Sequence, residues 1–171
     1  MGGKIEVSSR QGVGSTFTVE IPLLIAEHVQ TEEKEKLRKD MDLHGLHVLL
    51  AEDNDLNAEI AIALLEEKGM IVTRVADGKS ALAQFCNTAP GTFDLILMDI
   101  MMPEMNGYEA TKSIRNLPER PDGKEIPIIA MTANAFAEDV QAALDAGMDD
   151  HVAKPMDMDI LISAIEKCVK R

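Results

Sequence analysis

Over residues 46–171 the sequence predicts an α/β fold, a doubly wound five-stranded parallel sheet with helices on both faces. Five short apolar runs recur there, five segments of helical periodicity separate them, and several runs stop abruptly at carboxylates, a hydroxyl or an ammonium. Strands that are apolar almost throughout belong to parallel sheets buried on both sides. A β-hairpin is expected ahead of this unit.

The elements follow in chain order. Residues 2–25 read as short strands, Ile5-Glu6-Val7 and Thr16 to Pro22, around the Gly-rich turn Gly12-Val13-Gly14-Ser15. Phe17, Val19 and Ile21 share one face at period two. A lone hairpin is marginal in water, so this one reads as the last piece of a larger domain, over residues 1–26. Residues 27–45 are charged and poor in apolar anchors (Glu32-Glu33-Lys34-Glu35-Lys36) and read as a solvated linker. From residue 46 the expected strands are His47–Ala51, Ile71–Val75, Phe93–Met98, Ile126–Met131 and Met148–Ala153. Between and after them come helices at Leu56–Lys68, Lys79–Asn87, Tyr108–Asn116, Ala137–Ala146 and Asp157–Lys170. Gly69 and Gly147 stand where left-handed helix caps belong. In the last helix Leu161, Ala164, Ile165, Cys168 and Val169 recur on one face, so Cys168 reads as a core residue.

Composition narrows the function. The net charge is −13, with residues 1–44 carrying 6 basic and 8 acidic groups (net −2) and residues 45–171 carrying 11 and 22 (net −11). Such a surface repels nucleic acid, and without Trp and with one Tyr there is no base-stacking platform. Cys86 and Cys168 make no metal-spaced pair and, without a secretion signal, suit a reducing cytoplasm. No run approaches membrane-spanning length, so no direct membrane contact is expected of this piece, while a parent protein anchored in an inner membrane stays open.

The chemistry lies at the strand ends. The first strand runs into Glu52-Asp53, the third ends at Asp99, the fourth at Thr132 and the fifth at Lys154. Sites in open α/β sheets form outside the carboxyl ends of the strands, so three carboxylates, a hydroxyl and an ammonium should converge. Two like charges ~4 Å apart cost about 4 kcal/mol at an effective dielectric near 20, and a hard divalent cation removes that cost. Asp99, on the expected central strand, is the candidate nucleophile toward a phosphoryl group, with Thr132 and Lys154 stabilising its oxygens. The simpler readings are a helix cap for Asp99 alone, helix-start residues for Asp55 and Asn57, loop packing for Met101-Met102-Pro103 and an acidic turn for Asp149-Asp150. An EF-hand loop at Asp53 fails, since Ala58 and Leu64 occupy its sixth and twelfth positions.

Ala51-Glu52-Asp53-Asn54, the stretch from Met98-Asp99 to Asn106-Gly107, Met131-Thr132-Ala133 and Lys154-Pro155 closely resemble the response-regulator receiver domain, in order over residues 46–171. The resemblance implies a flavodoxin-like sheet of order 2-1-3-4-5 and phosphorylation of Asp99 from a histidine. It implies a site for Mg²⁺, or Mn²⁺, formed by Glu52, Asp53, Asp99 and the Met101 carbonyl. It also implies a switch through Thr132, Ala133 and the position of His151, where many members carry an aromatic residue. Gly12-Val13-Gly14-Ser15-Thr16-Phe17 resembles the last glycine box of histidine-kinase ATPase domains. Together these features look like the C-terminal part of a hybrid sensor histidine kinase. The chain by itself would be no kinase, because the ATP site and the phosphoacceptor histidine are absent from it. The implied partners are a kinase dimerisation and phosphoacceptor domain, in the parent chain or in trans, a histidine phosphotransfer protein, or a second copy of the chain. The alternative is a stand-alone aspartyl-phosphate phosphatase of haloacid-dehalogenase type, with Asp53-Asn54-Asp55 as its Asp-x-Asp.

Overall fold

The computed structural model describes residues 3–22, 42–133 and 137–169. The expectations for the linker, for residues 134–136 and for the end of the last helix at Lys170 lie outside them. The chain divides into two units, Met1–Asp40 and Met41–Arg171.

In the first unit β1 (Lys4–Arg10) pairs antiparallel with β2 (Gly14–Glu20). The register sets Ile5 opposite Val19 and Val7 opposite Phe17, so these four apolar side chains gather on one face. Within this unit all four are exposed. The second strand stops at Glu20, short of the expected Pro22, which has no N–H for a ladder.

In the second unit β3 (His47–Ala51), β4 (Ile71–Val75), β5 (Leu95–Asp99), β6 (Ile128–Thr132) and β7 (Asp150–Ala153) form one parallel sheet of order β4-β3-β5-β6-β7. Counted within the unit this is 2-1-3-4-5, as expected. The crossovers are α1 (Asp55–Glu67), α2 (Gly78–Asn87), α3 (Gly107–Arg115) and α4 (Ala137–Ala146), and α5 (Met158–Cys168) closes the unit.

Period two sorts each strand between two cores. Val48, Leu50, Leu95, Leu97, Ile129 and Met131 meet Ala61 and Leu65 of α1 and Leu161 and Ile165 of α5. Leu49, Ala51, Ile96, Met98, Ile128 and Ala130 meet Phe85 of α2, Ala110 and Ile114 of α3 and Ala143 of α4. Each fully buried aliphatic side chain contributes about 1.5–3 kcal/mol. With both faces covered, the central strands β3, β5 and β6 are apolar from Val48, Leu95 and Ile128 up to their carboxyl ends, while the edge strands β4 and β7 carry polar residues.

Helix starts are chemically marked. Asn54, Asp77, Asn106 and Asp157 cap α1, α2, α3 and α5 through their side chains, and Asn106 with Glu109 completes a capping box. Gly69 and Gly147 hold φ of 79° and 97°, the left-handed turn their position required.

Several details differ from expectation. Strands expected from Phe93, Ile126 and Met148 begin two residues later, at Leu95, Ile128 and Asp150. Phe93, Ile126 and Met148 are buried, so their apolarity reflects packing before the ladder starts. Cys168 is only partly buried, although Val169 beside it still packs on the core. Asp149 is no simple turn residue; it accepts from Ile128 N and pairs with Arg115, while Asp150 opens β7. Met102 packs on the core as loop packing requires, whereas Met101 is 77% exposed.

Candidate functional site

The strand order puts β3 beside β5 and β5 beside β6, so the residues leaving their carboxyl ends share one corner. Glu52 follows β3, Asp99 is the last residue of β5, Thr132 the last of β6, and Lys154 follows β7. Lys154 N donates to Thr132 O at 2.7 Å, which ties the last two together.

The Lys154 ammonium joins the cluster. Its Nζ lies 2.6 Å from Glu52 Oε2 and 2.7 Å from Asp99 Oδ2. Both carboxylates are buried, with Glu52 2% and Asp99 5% exposed. Asp99 Oδ1 accepts from the Met101 N–H at 3.2 Å. Burial pushes the Asp99 carboxyl above its ordinary pKa, and the Lys154 bond only partly counters this. Burial works against the Lys154 ammonium, yet the hydrogen bonds to Asp99 and Glu52 outweigh it, so its pKa is raised and it stays charged. One oxygen each from Glu52, Asp53 and Asp99 lies within 4.8 Å of the others, and Asp53 alone of the three is exposed. Three hard oxygen donors with one side open fit a Mg²⁺-like cation.

The sequence-predicted carboxylates and Lys154 are therefore brought together. Thr132 is buried at the edge of the same corner and Ala133 after it is exposed. Met101 reaches Asp99 through its backbone N–H, while its side chain points away from the packed core. His151 stands apart from the cluster, on β7 opposite Ala130, with Nδ1 3.6 Å from Asp150 Oδ1.

Two residues at the site escaped sequence reasoning. Asn57 donates through Nδ2 to Glu52 Oε1 at 3.1 Å. Arg74, on the edge strand β4, donates to Glu52 O through Nε and Nη2 at 3.3 and 3.1 Å and pairs with Asp55 Oδ1 at 2.7 Å. The available signal was an arginine inside an apolar strand, Ile71-Val72-Thr73-Arg74-Val75. The same contacts account for Asp53-Asn54-Asp55: Asn54 caps α1 and Asp55 turns to Arg74, so no Asp-x-Asp pair faces a common point.

Comparison with known proteins agrees with this geometry. The profile of the response regulator receiver domain matches residues 48–166. The aerobic respiration control sensor protein ArcB of Escherichia coli (strain K12) is 41% identical over 168 residues, covering 98% of this chain and 20% of ArcB. The chain thus spans about a fifth of the length of ArcB and of the ArcB proteins of Shigella flexneri and Escherichia coli O157:H7. The receiver domain of the sensor histidine kinase PA1611 from Pseudomonas aeruginosa PAO1 was solved with a magnesium ion coordinated in its active-site cleft. It is 38% identical, with a TM-score of 0.65, over 73% of this chain and 98% of that one. The complex of the Saccharomyces cerevisiae phosphotransfer protein Ypd1 with the receiver domain of Ssk1 matches at 26% identity and a TM-score of 0.63, over 74% of this chain and 90% of that one. The phosphatase alternative has no support in any of these. With its five-stranded parallel sheet and a family match over most of its length, the chain belongs to the response regulator receiver domain family.

Proposed function

We propose that Asp99 is the phosphoacceptor of this receiver domain, taking a phosphoryl group from a phosphohistidine and relaying it or losing it to water. An Asp99 carboxylate oxygen forms the new P–O bond, the P–N bond breaks, and the histidine nitrogen leaves with the bond's electron pair. The observation that supports this is the bridge of Lys154 between Glu52 and Asp99 at the strand ends. Glu52, Asp53 and Asp99 would hold Mg²⁺ or Mn²⁺, with the Met101 carbonyl as a further donor. A bound divalent cation supplies positive charge against the phosphoryl oxygens. Lys154 supplies a second, fixed positive charge, and Thr132 is placed to donate to a phosphoryl oxygen. Thr132, Ala133 and His151 form the switch in this reading.

The partner follows from the surface beside the site. Leu56 and Ile60 of α1 are 65% and 51% exposed, and Ile60 borders a small cavity walled by Met131, Pro155 and Met156 next to Lys154. An apolar rim around a charged site suits the helices of a histidine phosphotransfer protein or of a kinase phosphoacceptor domain. The ArcB match, which extends through the hairpin and linker, supports a hybrid sensor histidine kinase as parent, with residues 1–26 from its ATPase domain, 27–45 a linker and 46–171 the receiver. No helix among the described residues is long and apolar enough to cross a membrane, which suits a cytoplasmic module.

Intact-mass measurement after acetyl phosphate and Mg²⁺ tests the assignment. One base-labile phosphoryl adduct is expected, absent in Asp99→Asn and after chelation. An undiminished adduct on Asp99→Asn would sink it.

A further inference from the structure

The loop between β3 and α1 carries two of the three acidic residues of the proposed cation site, Glu52 and Asp53. Its end at α1 is fixed by the Asn54 cap, which accepts from Asn57 N at 3.0 Å. Its other tether comes from outside the site, from β4. Glu52 N donates to Val75 O at 3.1 Å. The Arg74 guanidinium then spans the loop, with Nε and Nη2 on Glu52 O and Nη2 on Asp55 Oδ1.

Arg74 is suited to this by its place in the register. It stands opposite Leu50, one residue before the strand end, and shares its face of β4 with Val72, which packs on the α1 side of the core. The planar fork reaches along the loop, and its bonds restrain both the residue before Asp53 and the residue two after it.

We propose that Arg74 is a positioning residue for the cation site, holding Glu52 and Asp53 at the spacing that a divalent cation needs. This rests on the reading of Glu52, Asp53 and Asp99 as cation ligands. Arg74 touches neither an expected ligand carboxylate nor Asp99. It acts through the backbone of Glu52 and through Asp55.

Simple electrostatics predicts the opposite sign, which makes the idea sharp. Arg74 is a positive charge near an acidic cluster, so deleting it should tighten cation binding if charge were its only influence. Lost positioning should weaken binding instead, as partners that orient ligands do when removed, by about tenfold. Salt separates the two effects, because at high ionic strength the charge effect is screened while misplacement of the loop persists.

The experiment is a titration of the full chain with Mn²⁺, followed by electron paramagnetic resonance of the free ion, and with Mg²⁺ by calorimetry. Arg74→Gln and Arg74→Lys are compared with the parent at low and high salt, and chelator-treated melting curves report folding separately. Weaker binding in Arg74→Gln by about tenfold at both salts, with partial recovery in Arg74→Lys, supports the proposal. Unchanged or tighter binding in Arg74→Gln overturns it, whatever the melting temperature does. If Arg74→Gln does not fold, Arg74→Lys decides alone, since it keeps the charge and loses the fork: parent-like affinity overturns the proposal. A parent chain that binds neither ion overturns the cation site itself, and the role of Arg74 with it.

Discussion

Lys154 is the strongest test of the charge balance at the site. In Lys154→Met the aliphatic stem is retained and the ammonium is lost. Glu52 and Asp99, 2% and 5% exposed, then face each other without their shared partner. Carboxylate oxygens up to 4.8 Å apart repel by about 3 kcal/mol at an effective dielectric near 20. Removing one partner of a buried ion pair costs about 3–5 kcal/mol, so both routes give a loss of about 3 kcal/mol in the cation-free protein. With a urea dependence of ~1.5 kcal/mol per molar, the midpoint should fall by about 2 M. A divalent cation supplies the missing positive charge, so the loss should shrink to about half or less in saturating Mg²⁺. The assay is urea unfolding followed by far-ultraviolet circular dichroism, with chelator and with Mg²⁺. An equal loss under both conditions would show that the ion does not share these carboxylates with Lys154, and the charge argument would fail.

Two further outcomes are expected. A Cβ at Gly107 would run into the backbone carbonyl of Asp99, so Gly107→Ala should destabilise by about 1–3 kcal/mol in the same urea assay and slow phosphoryl uptake; unchanged uptake would mean that the Asp99 backbone can shift freely. Asp122 is held below the usual carboxylate range chiefly by its hydrogen bond from Arg120, with burial opposing. Its folded pKa is depressed, so its contribution is present above the unfolded value, about 4, and is lost as pH falls through the folded value. Asp122→Asn should therefore cost about 2 kcal/mol at neutral pH, and the gap to the parent should close in acid unfolding below that range; a constant gap would contradict the pairing.

Element types were legible in the sequence because burial on both faces leaves strands such as Val48-Leu49-Leu50-Ala51 no polar position, whereas the sheet order followed only from the resemblance to receiver domains. Strand starts were less so. Phe93 and Ile126 are apolar because they are buried, and periodicity does not reveal where ladder hydrogen bonds begin. Site carboxylates were legible for a different reason: a charged residue after an apolar run has few places to go except the end of the sheet. Arg74 and Asn57 were hidden because their roles depend on partners across the fold, 22 and 5 residues away. Glu104 is similar. It adopts φ 64° in the loop after Asp99, a conformation costing about 1 kcal/mol for a residue with a Cβ, and nothing in its neighbourhood in sequence announces it.

The two ends of the sheet handle charge differently, and the contrast suits one end to the proposed chemistry. At the amino ends of the strands three acidic groups have bonding partners: Asp94 accepts from His47 N, Asp122 pairs with Arg120, and Asp149 pairs with Arg115. Arg115 also donates to the carbonyls of Gly123, Ile126 and Gly147, and Arg120 lies over the Phe85 ring and donates to Phe85 O and Thr88 O. The paired charges at that end serve the fold. At the carboxyl ends Glu52 and Asp99 share one ammonium, that of Lys154, and Asp53 stands beside them as a third carboxylate. An imbalance of two negative charges in a partly closed corner is matched by one divalent cation. In the proposed reaction the same corner would take up a dianionic phosphoryl group with such an ion in place, because the added charge would meet positive groups instead of bare carboxylates.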